Sequence, residues 1–387
     1  MSEKAVSSAV KQSLSLAELA DPLMKELRDK LDGLFASESM ERFTHVLCTG
    51  CGDSYIAGVA ATPAFHTLTD ITVEVLPAED LCYGYDFSAL DTAHTLCIGI
   101  SISGRVACTV AAMETARRHG IFTIGLTENP TSPIAQHVDY ILKHNMPERD
   151  LAPGVSTYFT STMALMLLAI RFSQQAGRCT AAQAESLCAD IVGFCESYRP
   201  LIPSMTEQME QASEAFATRS RFVTVGCGPD YATAWFARAK VIESIGRPAA
   251  LYSPADWMDT MAPLKEAGET GVVLFLSENS AEKESCLAAA RRSVEAGCPT
   301  VLCTDFAAQP LVPGACVVQL PAAGRSWVAP LMQFMPMTLL CGYMQTRLGE
   351  VTFRGITQGI WGESTRNRIY ADVSRQIEVL SERAGIL

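Results

Sequence analysis

One strand-to-helix turn is written twice in this chain. Gly50-Cys51-Gly52-Asp53-Ser54-Tyr55 is answered by Gly226-Cys227-Gly228-Pro229-Asp230-Tyr231, an offset of 176 residues (226 − 50). A second landmark keeps the same offset: Ser101-Ile102-Ser103-Gly104 is answered by Ser277-Glu278-Asn279-Ser280 (277 − 101 = 176). With no net insertion between the landmarks, the chain reads as a duplicated unit rather than as two unrelated domains. Each turn follows an apolar, β-leaning run and precedes a helical pattern, with glycines that let the backbone reverse sharply.

The order around the turns extends this grammar. Strands are expected near 44–49, 71–76, 95–100, 121–127 and 138–142 in the first half, and near 271–276, 300–304 and 316–320 in the second. Helical patterns fall at 105–119, 156–174, 181–198, 203–219 and 327–347. Strands alternating with helices imply a parallel sheet covered on both faces, with ligands collecting at the carboxyl ends of the strands. The expected fold class is therefore α/β, with two tandem doubly wound parallel-sheet lobes of flavodoxin-like type and flanking helices. The divisions are 1–40, a helical segment covering the outside of the first sheet with patterns at 14–19 and 23–35; 41–200, the first lobe; 201–350, the second lobe; and 351–387, a tail.

Composition narrows the partners. A formal charge of −12 without a basic cluster disfavours nucleic acid and anionic membrane, which both require a positive surface. Apolar residues make up 48%, yet no run approaches the roughly eighteen consecutive apolar residues of a membrane span. The start, Met1-Ser2-Glu3-Lys4, lacks the basic and apolar regions of a secretory signal, and most of the 14 cysteines sit inside apolar segments, as free thiols do in a reducing compartment. A cytoplasmic location is expected. Cys48-Thr49-Gly50-Cys51 has a C-x-x-C spacing, but with no second close pair and no histidine cluster it reads better as a strand cysteine followed by a turn cysteine.

Serines at two helix N-termini can join backbone amides around an anion. One such turn alone is also an ordinary βα turn or a nucleotide site; two in register point to a cradle for a small anionic metabolite. Gly50-Cys51-Gly52-Asp53-Ser54 followed by Ser101-Ile102-Ser103-Gly104 resembles the phosphosugar-binding pattern of the sugar isomerase (SIS) family. The resemblance implies that Ser54, Ser101 and Ser103 hold the phosphate of a sugar, with Gly52 and Asp53 in the same turn. It also makes Ser156, in Gly154-Val155-Ser156-Thr157, a contact for sugar hydroxyls; an ordinary helix N-cap is the plainer role for that serine. In the second copy Asp230 replaces the first serine and Glu278 enters the other turn, and carboxylates there would repel an anionic ligand. Only the first lobe is expected to hold the anion.

The stretch from Gly226 to Glu243 resembles, without a gap, the segment carrying a catalytic lysine and glutamate in the isomerase half of two-lobed SIS enzymes such as glucosamine-6-phosphate synthase. Lys240 and Glu243, three apart, share one helical face. There the carboxylate can move a proton between adjacent carbons while the ammonium stabilises an enediolate oxygen. A solvated Lys/Glu pair is the bland alternative.

Departures from the family are specific. All six histidines lie in the first half, and Asp259 stands where the family has its ring-opening histidine, with Asp256 just before it. Asp259 could transfer a proton only if burial raised its carboxyl. Ile102 and Val106 replace an amide and a hydroxyl of the cradle, and Arg105 is gained, a guanidinium that suits phosphate or sulfonate. In the tail, Tyr370 within Arg366-Asn367-Arg368-Ile369-Tyr370 stands where the synthase has its terminal lysine, so no Schiff base is expected.

The chain starts almost at the first lobe and has no N-terminal cysteine, so no glutamine hydrolysis is expected. The resemblance implies an aldose–ketose isomerase acting on a hexose 6-phosphate or similar anionic sugar, without cofactor or metal, as a homodimer in which neighbouring subunits complete the site. The alternatives are an amino-sugar-phosphate deaminase or fructosamine 6-phosphate deglycase, and a non-catalytic sugar-phosphate sensor.

Overall fold

The computed structural model describes residues 7–145, 150 and 152–354. It divides into two compact units, one comprising 7–20, 150, 152–156 and 189–354, the other 21–145 and 157–188. The division falls inside three helices.

The leading lobe follows α1 (Ser8–Ser37) and runs β1 (His45–Gly50), α2 (Asp53–Leu68), β2 (Thr72–Pro77), α3 (Ala78–Tyr83), β3 (Thr95–Ile100), α4 (Ala107–Arg118), β4 (Phe122–Thr127), β5 (Tyr140–Lys143), α5 (Val155–Gln175) and α6 (Ala181–Glu196). Its five strands are all parallel, in the order β2-β1-β3-β4-β5. Every residue of β3 is buried, because helices cover both faces of a central parallel strand; hence its near-continuous apolar run. Gly50 pairs in register with Ile100, which brings the ends of β1 and β3 level. Strand order reverses between these two strands, the switch point at which α/β sheets bind ligands.

The trailing lobe repeats the plan with α7 (Ile202–Ala217), β6 (Arg221–Val225), α8 (Pro229–Ile245), β7 (Ala249–Tyr252), α9 (Pro254–Met261), β8 (Thr270–Leu276), α10 (Lys283–Glu295), β9 (Thr300–Thr304), β10 (Cys316–Gln319) and α11 (Met335–Leu348). Its sheet, again wholly parallel, has the order β10-β9-β8-β6-β7, the same topology read from the other edge. The α/β class and the tandem doubly wound lobes are thus as the sequence implied.

Two expectations change. The two patterns in the first forty residues form one helix, α1, with Pro22 inside it, and the division between the two units falls within it, after Ala20. The single helix expected over 327–347 is a short 3-10 turn, Ser326–Leu331, followed by α11; Pro330 and Pro336 lack the amide hydrogens a continuous helix would need there. In composition and length α5 alone among the described helices could cross a bilayer, but most of it is buried inside the protein. The tail motif from Arg366 to Tyr370 lies outside the described residues, as do Glu148 and Arg149 of the loop before α5.

Candidate anion cradle and acid–base pair

In the leading lobe the cradle is built by two turns leaving adjacent strands. A Cβ on Gly50 would lie 2.8 Å from the Ser54 Cβ and 3.0 Å from the Ile100 carbonyl oxygen, so only glycine allows α2 to start this close to both strands. Gly52 then adopts φ +58° and caps α2, whose first residue, Asp53, complements the positive end of the helix. Ser54 follows, half-buried, its amide bonded to the Cys51 carbonyl at 3.2 Å.

After β3, Ser101 is 1% exposed, and among the described residues its hydroxyl has no hydrogen-bond partner. A buried hydroxyl without a partner costs on the order of 1–3 kcal/mol, so a hydrogen bond to a ligand oxygen at this atom would be favourable. The Ser103 hydroxyl accepts the Arg105 amide at 3.3 Å, and both side chains face solvent. Among the described residues the Arg105 guanidinium has no ion-pair or hydrogen-bond partner. The leading-lobe unit thus brings Gly52, Asp53, Ser54, Ser101, Ser103 and Arg105 onto two turns at one sheet edge.

The trailing lobe keeps the geometry and fills it. Gly226 is again obligatory, since a Cβ there would meet the Asp230 carbonyl oxygen at 2.5 Å, and Gly228 repeats the positive φ at +54°. Asp230, 1% exposed, accepts the Ser277 amide at 2.9 Å, the Ser277 hydroxyl at 2.6 Å and the Gln333 side-chain amide at 2.7 Å. Thr233 donates to the Gln333 oxygen at 2.8 Å and fixes its orientation. Burial pushes the Asp230 carboxyl above its usual range, while the bonds from Ser277 and Gln333 pull it back. The expected repulsion of ligand is therefore only half of the matter: the carboxylate occupies the donors an anion would use. Glu278, by contrast, is exposed, and its amide bonds to Asp305 at 2.6 Å.

On α8 the Lys240 ammonium donates to Glu243 Oε2 at 2.7 Å and sits 4.4 Å from the centre of the Phe236 ring. The lysine side chain is 1% exposed and the glutamate 24%, so the pair is no solvated surface contact. A buried ammonium needs such a partner. The aromatic face adds electrostatic support, and the carboxylate is the more exposed member of the pair.

Two site residues take unexpected roles. Asp259 is exposed on α9, so the burial its proton-transfer role requires is not present in the chain. Ser156 is not the N-cap, because α5 begins one residue earlier, at Val155; its hydroxyl bonds to Gln12 Oε1 at 2.9 Å. Gln12, Gln333 and Phe236 escaped the sequence reading because each acts through a contact distant in sequence or through a ring that looks like plain core. Cys48 is buried in β1 with its thiol pushed up to about 12, whereas Cys51 lies against Cys108, so the C-x-x-C spacing does not define a pair.

Two doubly wound lobes, one with an anion-type double turn and one with a buried lysine–glutamate pair, define the class of protein, a duplicated α/β phosphosugar-type fold. The SIS-domain model matches residues 41–171 and again 215–345, and the chain belongs to the SIS family. Isomerizing glutamine–fructose-6-phosphate aminotransferase from Symbiobacterium thermophilum is 29% identical over 251 residues, covering 65% of this chain and 40% of that protein. The chain thus spans well under half the length of such relatives. Among solved structures, the C-terminal domain of glucosamine-fructose-6-phosphate aminotransferase from Francisella tularensis superimposes with a TM-score of 0.77 at 19% identity, covering 91% of this chain and 99% of that one. Glucosamine-6-phosphate deaminase from Thermotoga maritima gives 0.63 at 18% identity, with 90% and 97% covered. Tagatose-6-phosphate ketose/aldose isomerase from Escherichia coli gives 0.63 at 18% identity, with 89% and 92% covered.

Proposed function

We propose that the protein is a sugar-phosphate isomerase of the SIS family, converting an aldose and a ketose of a hexose 6-phosphate through an enediolate. Ser54, Ser101 and Ser103 hold the anionic end, with Arg105 available to phosphate or sulfonate. Glu243 takes the proton from C2 of the open-chain aldose and returns it to C1. Lys240 stabilises the charge that develops on the enediolate oxygen, a preorganised donor of the kind that contributes most when shielded from water. A homodimer in a reducing, cytoplasmic setting completes the reading.

The observation that carries the catalytic part is the asymmetry of the pair, an ammonium 1% exposed held by a carboxylate 24% exposed. The more exposed carboxylate can meet a substrate carbon while the ammonium stays shielded from water. The absence of a histidine at Asp259, which is itself exposed, favours a second reading in which the same proton transfer serves loss of an amine from an amino-sugar phosphate or a fructosamine 6-phosphate. Relatives of both kinds support the class, an isomerase and a deaminase among them.

The test incubates purified protein with glucose 6-phosphate, glucosamine 6-phosphate and a fructosamine 6-phosphate, assaying ketose and released ammonia or amine. Ketose from the first supports isomerisation, and amine release from the others supports the second reading. Thermal stabilisation by these ligands without turnover of any would instead identify a sensor.

A further inference from the structure

Among the described residues, one trio of metal-ligating side chains stands apart from the acid–base pair. The sulfurs of Cys51 and Cys108 are 3.1 Å apart, and a carboxylate oxygen of Glu79 completes a group whose ligand atoms all lie within 4.8 Å of one another. The three residues come from different elements of the leading lobe: the turn after β1, the start of α3 and the first turn of α4. Both cysteines are half-buried and Glu79 is exposed, so an ion can arrive from solvent.

We propose that Cys51, Cys108 and Glu79 form a site for a thiophilic divalent cation, zinc(II) being the ion it fits best. Two thiolates and a carboxylate are a zinc ligand set, and tetrahedral coordination leaves the fourth place to solvent. Binding exchanges protons for the cation: a metal ion adds, both thiols become thiolate ligands, and two protons leave to solvent. Because Cys51 sits between Gly50 and Gly52 while Cys108 is the second residue of α4, the bound ion ties the turn after β1 to the helix that follows the Ser101–Gly104 turn.

The test uses the full chain kept reduced with a phosphine and stripped of metal with a chelator. Zinc(II) titrated against a chromophoric chelator should bind at one equivalent per chain, and cobalt(II) should give a sulfur-to-metal charge-transfer band together with the visible bands of tetrahedral cobalt. Cys51→Ser and Cys108→Ser should each abolish stoichiometric binding, and Glu79→Gln should weaken it about tenfold. Should those variants misfold, the wild-type chain still decides: zinc should protect Cys51 and Cys108 from alkylation, read by peptide mass, and leave Cys179, Cys227 and Cys316 unprotected. Binding that persists in Cys51→Ser/Cys108→Ser, a cobalt spectrum without sulfur ligation, or unchanged alkylation of the pair would each overturn the site. None of these readouts depends on the sugar reaction.

Discussion

Among the described residues Ser101 in the leading lobe keeps a buried hydroxyl without a partner, whereas its counterpart in the trailing lobe, Ser277, gives both amide and hydroxyl to the Asp230 carboxylate. The glycine turns that face them are alike, with Gly52 at φ +58° and Gly228 at +54°, whereas Gly104 after Ser101 takes φ +64° and its counterpart Ser280 has no positive φ. A double turn of this kind presents donors whether or not a ligand is present, and unsatisfied donors are costly when buried. The trailing lobe answers with a tethered anion held in place by Gln333; on the proposed reading the leading lobe leaves the demand to a ligand. Duplication therefore preserved a scaffold while one residue, serine or aspartate at the second position of the helix, decided whether its cradle is open or self-filled.

The comparison can be sharpened first at the reacting pair. Glu243→Gln should lower kcat by about 10²–10⁴-fold, the range typical of a lost general base, while ligand-induced thermal stabilisation, which depends on the leading lobe, persists. Loss of both together would contradict the division of labour. Next, Asp230→Ala should destabilise the fold by about 2–4 kcal/mol in urea titrations, since it strands a buried amide, a hydroxyl and the Gln333 donor. A neutral result would show that the trailing cradle does not need its internal anion.

The serines then give a matched pair. Ser101→Ala should cost little stability and weaken sugar-phosphate binding about tenfold or more, as expected for a hydrogen bond to a charged group worth about 1.5–3 kcal/mol. Ser277→Ala should do the reverse, lowering stability with no change in ligand affinity by calorimetry. Interchanged outcomes would assign the ligand to the wrong lobe.

The smallest effect concerns pH. Because burial raises the Asp230 carboxyl in the fold, its protonated form is the one that favours folding. That contribution is complete below the ordinary aspartate range and is lost as pH climbs through the raised value. The stability difference between wild type and Asp230→Ala should accordingly be larger at about pH 5 than at about pH 7. A difference that shrinks in acid would mean that the hydrogen bonds, not desolvation, dominate.

Much of this was readable without coordinates where the signal is local. Strand β3 was delimited to the residue by its apolar run between Thr95 and Ile100, and β9 by Thr300 and Thr304. Boundaries failed where proline intervened, as at Pro330, because hydropathy alone does not record a missing amide hydrogen. Ser156 failed as an N-cap because it is the second residue of α5, and its actual partner, Gln12, is 144 positions away. The pairing of Cys51 with Cys108 rather than Cys48 had no local signature, since strand alternation and a helix start jointly determine it.

The sequence by itself determined the duplication, the parallel sheets and the glycine turns, because these depend on periodicity and on backbone freedom that neighbours in the chain specify. Only the tertiary structure decided that Asp230 is an internal anion, that Lys240 is buried beside a more exposed Glu243, and that Ser101 has no partner among the described residues. Burial and pairing are properties of what surrounds a side chain, and those surroundings are assembled from segments the local sequence does not contain.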